Sequence, residues 1–279
     1  MPKATIAILF HERAARSGVD DYEIAHMARF WREAGYRVEY LFGPAPAANA
    51  DICIVHVDVS VVHQDYLSFA GEFSTSLNGQ LRDIRKRVIS GNLVDADTDY
   101  KGSVIVKTDL NHGGWPEITV RWGRTATRFM KRLNRWTRFP PGVLARERYQ
   151  IYANVSEVPA IFFEDARFVV EKFLPEIRED LFCINYYKFF GSVHECGRNY
   201  SAHPLVMSSA SVRRDHIEPE PDVVKLRHAI GMDFGKIDYT VAGGKAIVLD
   251  VNKTPGRRRH SKVPMEYLAR RAEAIRQYL

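Results

Sequence analysis

"KIDYTVAGGKAIVLDVNKTPG", Lys236 to Gly256, decides how the chain is read. Ile237, Tyr239 and Val241, then Ile247, Leu249 and Val251, recur at every second position, the period of two antiparallel strands, and Gly243-Gly244 lies between them. Asp250 and Asn252, two apart, share a face. The face of Asp238 depends on the connection. A two-residue loop pairs position 238 with 249 and sends the aspartates to opposite faces; an odd-length loop or a bulge pairs 238 with 250 and gathers all three. The odd connection is expected, because Asp-x-Asn opposite a second Asp is an oxygen-only donor set suited to a hard cation such as Mg2+. The alternative is a solvated hairpin face ending in an Asn-Lys-Thr-Pro-Gly turn.

The 279 residues, 46% of them apolar, can bury a substantial core in one compact enzyme or in two to three small subdomains. No apolar run reaches the roughly 18 residues of a spanning helix, and "MPKATIAILFHER" is broken early by His11, Glu12 and Arg13, so it reads as a first strand and not a signal peptide. Cys53, Cys183 and Cys196 lack C-x-x-C spacing, consistent with reduced thiols and a cytoplasmic location. A net charge of +6 points to an anionic partner. The surplus concentrates in "RWGRTATRFMKRLNRWTRF", residues 121 to 139, where Arg121, Arg124, Arg128, Lys131, Arg132, Arg135 and Arg138 occur without an acid and Trp122, Phe129, Leu133 and Trp136 are interleaved. Helical spacing predicts a cationic face able to grip a polyanion, an anionic membrane surface or an acidic substrate; the alternative is a solvated helix covering part of the core.

Residues 5–10, a helix from about Asp20 to Ala34 capped by Asp20 or Asp21, and strands at 36–43 and 51–58 make an α/β unit of parallel type. No G-x-G-x-x-G follows its first strand, which argues against a dinucleotide there. A basic amphipathic helix is expected within 77–90. "SVIVKTDLNHGG" is a buried strand carrying Lys107, an amine costly to bury without an anion; a phosphate oxygen would serve, with the amides of Gly113 and Gly114 as further donors. A surface lysine on an edge strand is the rival reading. Strands follow at 166–176 and on both sides of Gly191 within 181–198, and a helix closes the chain from about Pro264.

In that order, a lysine strand with a glycine loop, an apolar strand ending in "EKFL", two more strands and the opening hairpin resemble the ATP-grasp superfamily, and the hairpin resembles the metal site of D-alanine:D-alanine ligase-like carboxylate-amine ligases. The resemblance is strongest over residues 102 to 256. It implies an α/β, ATP-grasp fold with an N-terminal Rossmann-like pre-grasp domain over 1–94, a first grasp subdomain over 95–175 containing the basic segment 121–148, and a C-terminal subdomain over 176–279. It implies Mg2+ on Asp238, Asp250 and Asn252, and ATP phosphates on Lys107 and Lys86. Glu171, Lys172, Phe173 and Leu174 would form the adenine hinge, and Glu179 or Asp180 would hold the ribose. Lys236 stands where relatives place an arginine near the transferring phosphate, and because joining two anions calls for cations fixed in advance, Arg198 is expected as a further catalytic cation. The chain departs from the family in its phosphate loop, "TDLNHGGW", which has only two glycines and adds His112 and Trp115.

The activity implied is formation of an amide from a small anionic carboxylate and an amine, with ATP and Mg2+ consumed as Mg-ATP. Two rivals stand beside it: an ATP-grasp kinase acting on a hydroxyl, and a polyanion-binding protein with a vestigial ATP site. His11 and Glu12, at the end of the first strand, are expected to face the cleft. "GRRRHSK", Arg257 to Lys262, would hold substrate anions or form a solvated turn, whereas His194 and His203 lack metal-ligand neighbours and read as structural or surface residues.

Overall fold

The apolar run Thr5–Phe10 becomes the buried strand β1, because parallel strands covered on both faces have no solvent side to alternate toward. The computed structural model describes residues 2–45, 49–134, 137, 142–144, 148–207, 210–257 and 265–279. β1 lies between β2 (Arg37–Phe42) and β3 (Ile52–Val55), and β4 (Thr75–Leu77) follows β3, all in parallel. Helices α1 (Ala14–Ser17), α2 (Glu23–Glu33) and α3 (Gln64–Ala70) connect them. α2 buries Ile24, Met27, Ala28 and Trp31 at helical spacing. Neither Asp20 nor Asp21 caps it: Tyr22 is the capping residue, and the Glu23 N–H donates to the carbonyl of Pro255 (2.9 Å). The helix expected within 77–90 is only the single turn α4 (Lys86–Ile89), whose neighbours are held instead by local loop hydrogen bonds.

Two antiparallel sheets follow. In the first, β5 (Val104–Thr108) lies between β6 (Gln150–Tyr152) and β7 (Phe168–Lys172), with α5 (Trp115–Asn134) and α6 (Ile161–Glu164) in the connections. The second contains β8 (Glu176–Arg178), β9 (Leu181–Phe190), β10 (Val193–Ser201), β11 (Arg213–His216), β12 (Phe234–Ala242) and β13 (Lys245–Asn252). Its order is β11-β10-β9-β12-β13, with β8 also on β9, and α7 (Pro221–Ala229) precedes β12. Residues 173–175 are the whole connection between the two sheets.

The hairpin turn is the two-residue Gly243-Gly244, with Ala242 facing Lys245. Its odd residue comes from a bulge: Tyr239 pairs with Val248 and Asp238 with Asp250, leaving Leu249 extra.

The last helix, α8 (Met265–Glu273), returns to the first unit. Leu268 and Ala272 share a core with Ile24 and Trp31. The Trp31 indole N–H donates to the carbonyl of Ala272 (2.8 Å), and the buried Glu23 carboxylate pairs with Lys188 (2.7 Å) and Arg271 (3.0 Å). No helix among the described residues is long and apolar enough to cross a membrane.

Candidate functional site

A cavity of about 1080 Å³ is lined from both antiparallel sheets and from the N-terminal unit. β12 contributes Lys236, Asp238 and Thr240, alternate residues of one strand face, and β13 contributes Leu249, Asp250 and Asn252. The bulge brings the latter three to the same space. Both carboxylates already face amines. Asp238 accepts from Lys236 (2.7 and 2.9 Å), and Asp250 lies 3.4 Å from the Lys86 amine, which also donates to the carbonyl of Leu110 (3.1 Å). Burial pushes the Lys86 amine toward neutrality, but Asp250, Tyr149 and Glu171 more than offset it, so its pKa is raised.

The Asn252 amide joins the hairpin to the glycine loop. Its oxygen accepts the Thr254 N–H (2.9 Å) and its nitrogen lies 3.0 Å from His112 Nε2, so the amide donates to an unprotonated ring nitrogen. His112, at φ 47°, and Gly113, at φ 68°, both line the cavity. A Cβ on Gly113 would lie 2.2 Å from the Leu144 carbonyl oxygen, so glycine is required by close backbone approach as well as by φ. Gly114 does not line the cavity; its φ of 80° helps turn the chain into α5.

Lys107 lines the cavity, yet its amine already has an anion: Glu171, fully buried on the neighbouring strand, accepts from it at 2.6 Å. Glu171 is therefore turned to Lys107 and does not line the cavity, which changes the expectation that its carboxylate reads an adenine edge. The rest of the expected hinge, Lys172, Phe173 and Leu174, does line it, together with Pro175, Ile105 and Ile184. This combination offers apolar contact and exposed main chain to a flat ring.

Five expected contacts are not brought together with the rest. Glu179 and Asp180 form the β8–β9 turn with φ of 50° and 62°, and Glu179 pairs with Arg213 (2.7 Å) at the surface, so neither lines the cavity. Arg198 points within its sheet, donating to Asn185 (2.8 Å) and pairing with the buried Glu176 (3.1 Å). Glu176 is the junction that claims it, accepting also from Asn185 (2.7 Å) and the Val241 N–H (3.0 Å). His11 and Glu12 do not line this cavity either. Residues 258–262 of the basic run lie outside the described residues, as do Arg135, Trp136 and Arg138 of the segment 121–148.

The N-terminal unit supplies a group that sequence reading passed over. Asp58 lines the cavity and accepts from the Tyr22 hydroxyl (2.7 Å) and the Thr254 hydroxyl (2.6 Å). Burial and the neighbouring Asp58 charge raise the Tyr22 pKa, keeping its proton on the phenol. The available signal was position: Asp58 follows β3 at the carboxyl end of a parallel sheet, where α/β folds expose ligand contacts. Lys253 is nearby, 1% exposed, and burial pushes its amine down to about 8 despite Asp58, Glu117 and Asp83.

No protein-family model matches the chain, and no curated protein matches it. Among solved structures it is similar to a RimK domain ATP-grasp protein from Sphaerobacter thermophilus, with TM-score 0.52 and 10% identity over 98% of this chain and 99% of the other. It is also similar to D-alanine–D-alanine ligase from Bacillus anthracis, with TM-score 0.46 and 12% identity over 98% of each chain. The first of these shows the fold: the chain is an α/β protein with the ATP-grasp fold, in which a parallel N-terminal sheet precedes the two antiparallel grasp sheets.

Proposed function

We propose that the protein is an ATP-dependent carboxylate-amine ligase, forming an amide through an acyl phosphate and converting ATP to ADP and phosphate. The observation that carries this reading is the bulged hairpin, which turns Asp238 and Asp250 into a cavity that also contains Lys86, Lys107, Lys236 and the apolar hinge Phe173–Leu174.

The hairpin fits Mg2+ by its donor chemistry: two carboxylates and an amide oxygen that retains a lone pair beside its hydrogen bond to Thr254. Bound by Asp238, Asp250 and Asn252, the ion would offset the charge spread over the transferring phosphoryl group. Lys86 and Lys236, which now neutralise those aspartates, are placed to turn to phosphate oxygens. Lys107 presents a cation fixed by Glu171, so little reorganisation is needed when negative charge develops. Ile105, Phe173 and Leu174 would hold the base. A substrate carboxylate oxygen attacks the terminal phosphorus and ADP leaves. The amine nitrogen then attacks the acyl carbon, and phosphate departs as the amine gives up its proton to solvent. Holding the acyl phosphate and amine together in one cavity supplies much of the rate.

The test is ADP and phosphate release with Mg-ATP and pooled small carboxylates, with and without pooled amines, comparing the unaltered protein with Asp250→Asn. Release that needs both pools and is lost in the variant is the expected result. Release unchanged by Asp250→Asn would remove the metal assignment, and release with a hydroxyl acceptor and no amine would replace the ligase with a kinase.

A further inference from the structure

α5 is amphipathic in the reverse sense from a helix that covers a core. Gly123, at φ 81°, breaks it. Beyond that break Arg124, Thr127, Arg128, Lys131 and Asn134 recur at three- and four-residue spacing and line the cavity, whereas Phe129 is 64% exposed on the other side and Trp122, just before the break, is 54% exposed. The cationic side of the helix therefore serves the cavity, and Trp122 and Phe129 are left in water.

Three of the cations that line the cavity have acidic partners: Lys86 with Asp250, Lys107 with Glu171 and Lys236 with Asp238. Arg124 is paired with Asp21 (3.1 Å). Arg148 donates to main-chain carbonyls and Lys172 lies over the Tyr100 ring (5.0 Å), while Arg128 and Lys131, one turn apart on α5, have no carboxylate within ion-pair distance among the described residues. Lys131 lies over the Trp115 ring (5.3 Å), and both it and Arg128 are exposed on the cavity wall, where a ligand can reach them. Asp58, which lines the same cavity, is occupied by the hydroxyls of Tyr22 and Thr254. Two cations one helical turn apart on a cavity wall, with no carboxylate between them, present paired positive charge to an anionic group of a ligand.

We propose that Arg128 and Lys131 form a second anion subsite, so that the acid taken by this cavity carries two anionic groups: the carboxylate that is phosphorylated, and a further carboxylate or phosphate held by these two side chains. The role of the first group rests on the ligase reading; the second subsite rests on α5 alone.

The test is calorimetric titration of the full chain with succinate, phosphonoacetate and propanoate, alone and with Mg2+ and a non-hydrolysable ATP analogue, repeated on Arg128→Gln/Lys131→Gln. Both dianions should bind about tenfold or more tighter than propanoate, the preference expected of a charge-assisted pair. The stronger of the two identifies the second group as carboxylate or phosphate. The double variant should reduce both to the propanoate level while leaving affinity for the ATP analogue unchanged, and the charge-conserving Arg128→Lys/Lys131→Arg should keep most of the preference. Nucleotide binding without a dianion preference, or a preference that survives the glutamine variant, overturns the subsite and leaves the ligase reading intact. A dianion preference lost in the glutamine variant, in a protein that does not bind the nucleotide, upholds the subsite and removes the ligase reading.

Discussion

Asp238 stands opposite Asp250 only because Leu249 is an extra residue in the strand between them. An unbroken register from the Gly243-Gly244 turn would have paired position 238 with 249 and turned Asp250 to the other face. The same bulge places Leu249 itself on the cavity wall. Leu249→Ala should therefore weaken ATP binding through lost apolar contact, by about tenfold or roughly 1.4 kcal/mol, without changing the dependence on Mg2+. Isothermal titration at several Mg2+ concentrations measures both quantities, and a changed metal dependence would mean that the bulge is not held by backbone pairing alone.

Lys107 and Glu171 form an ion pair that neither can leave without stranding the other, their side chains being 8% and 0% exposed. Lys107→Met should lower unfolding stability by about 3–5 kcal/mol, the cost of an uncompensated buried charge. Lys107→Met/Glu171→Leu should recover most of that stability while ATP affinity stays low. Denaturant unfolding and nucleotide titration of the three proteins separate the structural from the binding role; recovery of both together would assign Lys107 no part in binding.

His56 is 1% exposed among the rings of Phe10, Tyr22 and Phe234, and burial pushes its imidazole down to about 4. The unfolded chain takes up this proton near pH 6.5 and the folded one does not, so stability is complete above that value and falls as pH drops from about 6.5 toward 4. The full loss is about 3 kcal/mol. His56→Phe, which keeps an aromatic ring, should flatten stability across this window in denaturant titrations; an unchanged slope would show that His56 is not its source.

Glu23 gives a second acid dependence at lower pH. Burial alone would raise its pKa, but Lys188 and Arg271 together outweigh burial and the group titrates below its ordinary value. Its contribution is present above the unfolded carboxylate pKa and is lost as pH falls through the depressed folded one. Glu23→Gln should reduce the acid sensitivity that persists in His56→Phe, read as the pH of half-unfolding; no movement of that midpoint would place the acid sensitivity elsewhere.

The alternation of Ile237, Tyr239 and Val241 made the hairpin legible, and the chemical sense of Asp-x-Asn favoured the pairing that the bulge delivers. Lys107 was legible as a buried amine in need of an anion, but its anion is Glu171, 64 residues later, and no local pattern tells a strand-to-strand ion pair from a ligand contact. The same applies to Arg198, whose charge is absorbed by Glu176 across a sheet. The periodicity of α5 predicted one cationic side without predicting where that side looks, since a helix pattern assumes that water lies opposite the apolar stripe. Here a cavity occupies that place.

The hydrogen bond from Trp31 to Ala272 joins residues 241 positions apart. During synthesis the α2 face leaves the ribosome long before its cover, α8, since the two are separated by the whole of both antiparallel sheets. Trp31, Met27 and Ile24 are thus on offer to chaperones, or to the same face of a neighbouring nascent chain, until α8 is made. Maturation of the first core is timed by the arrival of α8.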